Sequence, residues 1–311
     1  MIYDLIIIGL GPAGLTASIY ASRYELKHAL IGSLKGGTAS ESHLVENYPG
    51  FESISGQELM ENFFNQAKKY RPEFLYTKAD QISKNKNVFE IRTNEGKIIK
   101  TKSIILALGV QHRALCIPGE KKFLGRGVSY CPTCDGPLFK NKIIAVAGGG
   151  DSALTSALYL SKIAKKIYLI YRKEVFRARA LWQTKLEEEK KIKKILNNQI
   201  KEIKGVGVVN EIILNKPYQN KKSLKINGLF IEIGVIPSKE FNLTPPLKLK
   251  KDSAGYIIVN YRQETNISGL FAAGDITSPA DKLKQIITAS AEGAISAVNA
   301  YRFLTKRTTR I

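Results

Sequence analysis

The sequence has little cysteine: three residues in a chain of 311. That excludes a small disulfide-stapled scaffold. Histidine is as scarce, with three, so a zinc site could draw only on Cys116, Cys131, Cys134, His28, His43 and His112. Their spacings match no metal-ligand pattern. No apolar run reaches the roughly 20 residues that a membrane span needs. The opening Met1-Ile2-Tyr3-Asp4-Leu5-Ile6-Ile7-Ile8-Gly9 has no basic leader and no cleavage site. It reads as a strand, and a cytoplasmic location with no membrane partner is expected. Acidic residues are in deficit, 27 against 48 basic, for a net charge of +21. Such an excess suits nucleic acid, a membrane surface or an acidic protein. The lysines are scattered, however, and no basic patch is interleaved with aromatics, so nucleic acid is not expected. The densest run, Lys185 to Lys194, alternates with Glu187, Glu188 and Glu189 and reads as a solvated helix face. Cys116, between Leu115 and Ile117, reads as a small buried hydrophobe.

What is present is an ordinary globular composition, 44% hydrophobic, in a chain long enough for two domains. Two segments share one grammar. The apolar run Leu5 to Ile8 leads into Gly9-Leu10-Gly11-Pro12-Ala13-Gly14, then a helical pattern, then a second apolar run at Ala29 to Ile31. The run Ile143 to Ala147 leads into Gly148-Gly149-Gly150-Asp151-Ser152-Ala153, a helical pattern to Ile163, and a strand at Ile167 to Ile170. Both read as strand, glycine turn, helix, strand. Strand-like stretches at Val88 to Thr93, Ile98 to Ile99, Ile104 to Ala107, Ile212 to Leu214 and Leu229 to Ile233 suggest antiparallel layers added to each unit. Near the end, Leu270-Phe271-Ala272-Ala273-Gly274-Asp275-Ile276 reads as a strand closing on Gly-Asp. Gln285 to Ala294 reads as a small-residue helix able to approach a ligand closely.

A G-x-G-x-x-G between strand and helix is a dinucleotide turn. Gly9 makes the tight turn, Gly11 admits a pyrophosphate and Gly14 lets helix and strand pack. The acid that usually holds a ribose about 20 residues on is missing, since Ile31-Gly32-Ser33 stand there. Gly148-x-Gly150-x-x-Ala153 is the alanine variant of the turn. After its second strand come Arg172, Lys173 and Arg177, with Glu174 among them. Basic residues at that place suit a 2′-phosphate and favour NADP over NAD.

Cys131-Pro132-Thr133-Cys134 can be half a zinc site, a structural disulfide or a redox dithiol. With no further ligands in register, and in a reducing compartment, the redox reading is preferred. Asp135, next in the chain, is a candidate acid/base for the thiols.

Over nearly its whole length the chain resembles the low-molecular-weight thioredoxin reductases. The matching residues are the first glycine turn, Gly36-Gly37, Val45-Glu46-Asn47-Tyr48-Pro49-Gly50-Phe51 and Cys131 to Pro137. Gly148 to Ala153, Arg172 to Ala178, Ala273-Gly274-Asp275 and Gln285 to Ala294 complete the set. The resemblance implies an α/β fold of two Rossmann-like three-layer ββα nucleotide-binding domains, the second inserted in the first. Residues 1–112 and 243–311 would bind FAD, and residues 113–242 would bind NADPH and carry the dithiol. FAD would lie on Gly9, Gly11, Pro12, Ala13, Gly14 and Gly37, with Asn47, Gly274, Asp275, Gln285 and Ile286. NADPH would lie on Gly148, Gly150, Asp151, Ser152 and Ala153, with Arg172, Lys173 and Arg177. Cys134 would face the flavin and Cys131 would attack the substrate disulfide.

The implied partner is thioredoxin or a thioredoxin-like protein, and the implied assembly is a homodimer. A peroxidase-linked or glutaredoxin-like acceptor, or a non-enzymatic flavin-binding role, is the alternative. Flavoproteins of the peroxidase systems carry an extra N-terminal redox domain, whereas this sequence opens on the FAD strand. Ferredoxin–NADP reductases of this fold lack the dithiol. The sequence departs from the family at Tyr171-Arg172-Lys173, where His-Arg-Arg is usual, and a lysine cannot form the two-pronged contact of an arginine. It departs also at Thr38, where Gln is frequent, and at Thr155-Ser156, where Glu is frequent.

Overall fold

The computed structural model describes residues 1–33, 35–42, 45–238, 241–279 and 282–305. The chain divides into two compact units, residues 1–111 with 236–311, and residues 112–235. The crossing segments Val110–His112 and Val235–Pro237 form a two-stranded sheet. The return at 235/236 falls earlier than the boundary at 242/243 expected from sequence. Phe241 and Leu243 pack into the first unit's core, and Asn242–Leu243 is an edge strand of its sheet beside Ala79–Asn85.

In the first unit, Ile2–Ile8 lies between two parallel neighbours, His28–Ile31 and Ile98–Leu106. The strand Glu73–Leu75 extends the parallel sheet beyond His28–Ile31. The long strand Ile98–Leu106 serves two pairings. Its first half runs antiparallel to Val88–Thr93, and its last three residues run parallel to Leu270–Ala272. Ile98 to Ile99 and Ile104 to Leu106 are thus one strand, joined by Lys100, Thr101, Lys102 and Ser103, whose lysines are exposed and whose hydroxyls are buried; against expectation, Ile104 to Leu106 lie in the parallel sheet and not in an antiparallel layer.

Strand alternation splits the core between the two faces. Leu5 and Ile7 pack with the helices Pro12–Arg23 and Ile286–Thr305, while Ile6 and Ile8 pack with Ile82, Phe89 and Ile91 of the antiparallel strands. All four are at most 1% exposed, each burial stabilising by about 1.5–3 kcal/mol. The two helices meet at Gly293, where a Cβ would stand 2.2 Å from the carbonyl oxygen of Ala13. A further helix, Gly56–Lys69, opens on Ser55, whose Oγ accepts the Glu58 N–H at 3.1 Å. The Ser-x-x-Glu signal for it stands in the sequence at Ser55 to Glu58.

The second unit has a fully parallel sheet in the order Ile192–Ile195, Lys166–Ile170, Ile143–Ala147, Gly228–Ile231, Val128–Ser129. Ile144, Val146 and Phe230 face the helices Asp151–Ser161 and Ala180–Glu188. Ala145, Leu229 and Ile231 face a three-stranded antiparallel sheet, Ile200–Val206, Val208–Tyr218 and Lys221–Lys225. This is the doubly covered α/β class expected from sequence, with two corrections. Residues 228–231 are a central parallel strand, buried on both faces, and not part of an antiparallel layer. The run Lys185 to Lys194 is not one solvated helix. The helix stops at Glu188, Glu189 accepts Ser161 Oγ–H at 2.8 Å and Lys191 N–H at 3.0 Å, and strand Ile192–Ile195 begins. Those bonds, the backbone one foremost, hold the Glu189 carboxyl below its ordinary range.

Candidate functional sites

In the first unit the predicted glycines Gly9, Gly11, Gly14, Gly37 and Gly274 gather at the N-terminus of helix Pro12–Arg23. Gly9 takes φ +124°, and a Cβ there would lie 2.1 Å from the Ala107 carbonyl oxygen. Gly11 is the N-cap and no side chain caps the helix, which leaves first-turn backbone donors to face a ligand. Pro12 opens the helix and Ala13 is buried behind it. Gly14 packs so closely that a Cβ would sit 2.0 Å from the Gly9 carbonyl oxygen. Gly37, at φ +59°, brings its backbone against the turn, its would-be Cβ 3.2 Å from Gly11 Cα.

Gly274, at φ +80°, approaches from the chain's far end, 3.0 Å from Ala13 Cβ by the same measure. Asn47 and Gln285, 238 residues apart, are joined by an amide hydrogen bond of 2.8 Å. Ile286 starts the C-terminal helix. Asp275 is half-buried. Burial pushes its carboxyl up, against the pull of Lys282 and Lys284, and Glu292 adds to the rise.

Sequence reasoning missed what holds this loop. The Glu292 carboxylate accepts the Gly274 N–H at 2.7 Å and pairs with Lys282 at 2.8 Å. Lys282 also donates to the Gly274 carbonyl at 3.0 Å and to Thr277 Oγ1. The ion pair is only 13% and 17% exposed, so it is screened little by solvent. Glu292 lay inside the small-residue helix motif. Lys282 carried no local signal.

In the second unit Gly148 repeats the geometry of Gly9, with φ +149° and a would-be Cβ 2.1 Å from the Glu232 carbonyl oxygen. The next helix, Asp151–Ser161, again starts on an uncapped glycine, Gly150. Ser152 is exposed in its first turn and Ala153 is buried. The basic loop folds back on the turn. The Arg177 N–H donates to the Gly149 carbonyl at 2.7 Å, and Arg177 Nη2 lies 3.9 Å from where a Gly150 Cβ would be. Phe176 and Ala178 are buried while Arg172, Lys173, Arg177 and Arg179 are exposed. Arg179, which sequence reasoning omitted, engages Asp151 through its N–H at 2.7 Å and its Nε at 3.1 Å. The alternation Arg177-x-Arg179 was the available signal.

The dithiol follows the strand Val128–Ser129 and is closed as a disulfide, with the two Cα atoms 5.3 Å apart. Cys131 caps the single turn Pro132–Asp135, and its sulfur accepts the Cys134 N–H at 3.1 Å. Such a bond favours a thiolate at Cys131 once the disulfide opens. Ser129 Oγ accepts the Cys131 N–H at 3.0 Å and fixes its backbone. Cys134 is exposed, while Cys131 and Asp135 are half-buried.

Just upstream, Glu120 is 3% exposed and gathers four donors. These are the N–H groups of Leu115, Cys116 and Ile117, at 2.9, 2.6 and 3.4 Å, and the Tyr130 hydroxyl at 2.6 Å. Burial first, and then the Glu120 carboxylate, push the Tyr130 hydroxyl upward. This arrangement overturns the expectation that Cys116 is buried. With the 115–117 backbone turned inward to Glu120 and Cys116 at φ +58°, its thiol is exposed. Titration of the unfolded oxidised protein with a thiol reagent is therefore expected to count one thiol, and three after dithiothreitol. A count of three before reduction would refute the closed pair.

His28 is buried, its ring bonded to Ser18 Oγ and the Leu26 carbonyl, both at 2.9 Å. His112 stacks on Tyr130. His43 lies outside the described residues. Among the described residues no three His, Cys, Asp or Glu side chains gather as a metal-ligand set, and no helix is long and apolar enough to cross a membrane.

Comparisons with known proteins give the chain's family. The model of the pyridine nucleotide-disulphide oxidoreductase family matches residues 3–293. A thioredoxin reductase of Bacillus subtilis is 39% identical, covering 97% of this chain and 95% of its own length. A thioredoxin reductase of Buchnera aphidicola is 41% identical, covering 96% of each chain. Among solved structures, thioredoxin reductase of Lactococcus lactis superposes with a TM-score of 0.88 at 37% identity, over 98% of this chain and 99% of that one. Two glycine turns, a closed dithiol beside the second, and a family match spanning both turns lead to one assignment: the chain belongs to the pyridine nucleotide-disulphide oxidoreductase family.

Proposed function

We propose that the protein is a thioredoxin reductase that spends NADPH to reduce the disulfide of thioredoxin or a thioredoxin-like protein. The observation that carries the reading is the closed Cys131–Cys134 pair in the same unit as a glycine turn faced by Arg177. The first unit fits FAD, because the backbone of Gly37 and Gly274 closes on a helix start that no side chain caps. Bound there, FAD would supply the two-electron redox chemistry that links NADPH to the Cys131–Cys134 disulfide.

This chain's residues then do the exchange. The Cys131 thiolate attacks one sulfur of the partner disulfide, forming a mixed disulfide and releasing the partner's other sulfur as a thiolate. Asp135, next to Cys134 in the chain, is assigned as the acid/base that exchanges protons with these thiolates. Cys134 next attacks Cys131 Sγ, which frees the reduced partner and restores the Cys131–Cys134 bond. The balance is NADPH, one proton and a disulfide giving NADP+ and a dithiol. The reading includes a cytoplasmic homodimer, as the resemblance implies, which light scattering on the purified protein checks.

Arg172, Lys173 and Arg177 are assigned to the 2′-phosphate, with Arg177 the nearest to the turn. In anaerobic titration NADPH is expected to bleach the flavin at concentrations at which NADH does not. Arg177→Ala is expected to weaken NADPH about tenfold or more and leave NADH unchanged. Equal bleaching by both nucleotides in the unaltered protein would overturn the assignment.

A further inference from the structure

Glu232 stands immediately past the central parallel strand Gly228–Ile231 of the second unit. Its N–H donates to the Ala147 carbonyl at 2.7 Å, so it sits level with the start of the glycine turn, and its carbonyl oxygen is the atom that a Gly148 Cβ would strike. Strand alternation puts its side chain on the face of Phe230, toward helix Asp151–Ser161. There Ser156 Oγ donates to Glu232 Oε1 at 3.2 Å. One carboxylate oxygen is thereby oriented from the helix, and both residues are only half-buried.

A dinucleotide on a parallel sheet lies across the carboxyl ends of the strands, with its pyrophosphate at the glycine turn. Three adjacent strand ends matter here. The end of Lys166–Ile170 carries Arg172 and Arg177. The end of Ile143–Ala147 carries the turn, and the end of Gly228–Ile231 carries Glu232. If the first takes the 2′-phosphate and the second the pyrophosphate, the third lies under the other half of the molecule. A carboxylate has the acceptor geometry for two neighbouring ribose hydroxyls and repels a phosphate.

We propose that Glu232, oriented by Ser156, binds the nicotinamide ribose of the dinucleotide. The proposal rests on the NADPH reading above and names the residue that would hold its reactive half. The test is calorimetric titration of the oxidised flavoprotein with NADP+ and with 2′,5′-ADP, which keeps the adenosine half and lacks the nicotinamide half. Glu232→Gln is expected to weaken NADP+ about tenfold and to change 2′,5′-ADP by less than about twofold. Ser156→Ala, a milder change that removes only the orienting hydroxyl, is expected to weaken NADP+ about threefold with the same indifference to 2′,5′-ADP.

A purely structural tie between strand and helix would weaken both ligands alike. That result, or unchanged NADP+ affinity in both variants, would overturn the proposal. The underlying reading fails separately, if the unaltered protein binds 2′,5′-ADP no more tightly than 5′-ADP. The same comparison made with NAD+ and 5′-ADP then decides the role of Glu232.

Discussion

Replacing Cys131 with serine is expected to slow reduction of thioredoxin by about a thousandfold or more, while anaerobic NADPH still bleaches the flavin. The reason is local. Cys131 Sγ is the sulfur that accepts the Cys134 N–H, so it is the one whose thiolate the fold stabilises. Its serine counterpart cannot attack a disulfide at neutral pH. Cys134→Ser should behave differently. Cys131 can still attack, but Cys134 no longer resolves the adduct, so alkylating the partner's released thiol should capture a mixed disulfide visible on a non-reducing gel. Both variants belong in a Cys116→Ser background, because the exposed Cys116 thiol could otherwise form an adduct of its own. Partner trapped by the Cys131 variant and not by the Cys134 variant would reverse the assigned roles.

That assignment depends on how much of the dithiol's setting can be read from residues alone. The pair, the following Asp135 and the second glycine turn are contiguous, and their chemistry depends on short spacings that a sequence displays directly. The brace behind them is not local. Glu120 gathers three backbone N–H groups and the Tyr130 hydroxyl, and nothing about a glutamate between Gly119 and Lys121 announces a buried acceptor. Cys116 was misread for the same reason. Its apolar neighbours suggested burial, whereas the turn that feeds Glu120 sends its side chain outward.

The same limit governs the sheets. Leu229 to Ile233 looks alike whether its neighbours run parallel or antiparallel, because burial on both faces records that a strand is central and not which strands flank it. Lys282 and Glu292 pair across a loop-to-helix gap, and the Asn47–Gln285 bond closes over 238 residues. In these cases the partner is set by the finished topology. The unread Ser55-to-Glu58 capping signal is of another kind, since it was present and local.

Glycine positions are where local legibility and steric consequence coincide, and they divide the two nucleotide sites cleanly. Gly9→Ala is expected to yield protein that does not retain FAD and melts well below the unaltered chain. Its Cβ would overlap the Ala107 carbonyl oxygen at 2.1 Å, and φ +124° is a conformation that L residues rarely adopt. Each of the two faults costs about 1–3 kcal/mol, against a total stability of about 5–15 kcal/mol for a domain. Gly148→Ala meets the same pair of faults in the second unit, at φ +149° and 2.1 Å from the Glu232 carbonyl oxygen. It should keep its flavin, because the first unit is a separate compact body with its own core, yet lose NADPH-dependent bleaching. Gly109→Ala supplies the contrast. Gly109 also has positive φ, +62°, but a Cβ there would meet nothing within 4 Å, so only the backbone cost applies and flavin should be retained. Flavin absorbance per protein and the NADPH titration, read on the three variants together, decide the matter. Loss of flavin in Gly148→Ala, or normal flavin in Gly9→Ala, would show that the two turns do not serve separate nucleotides.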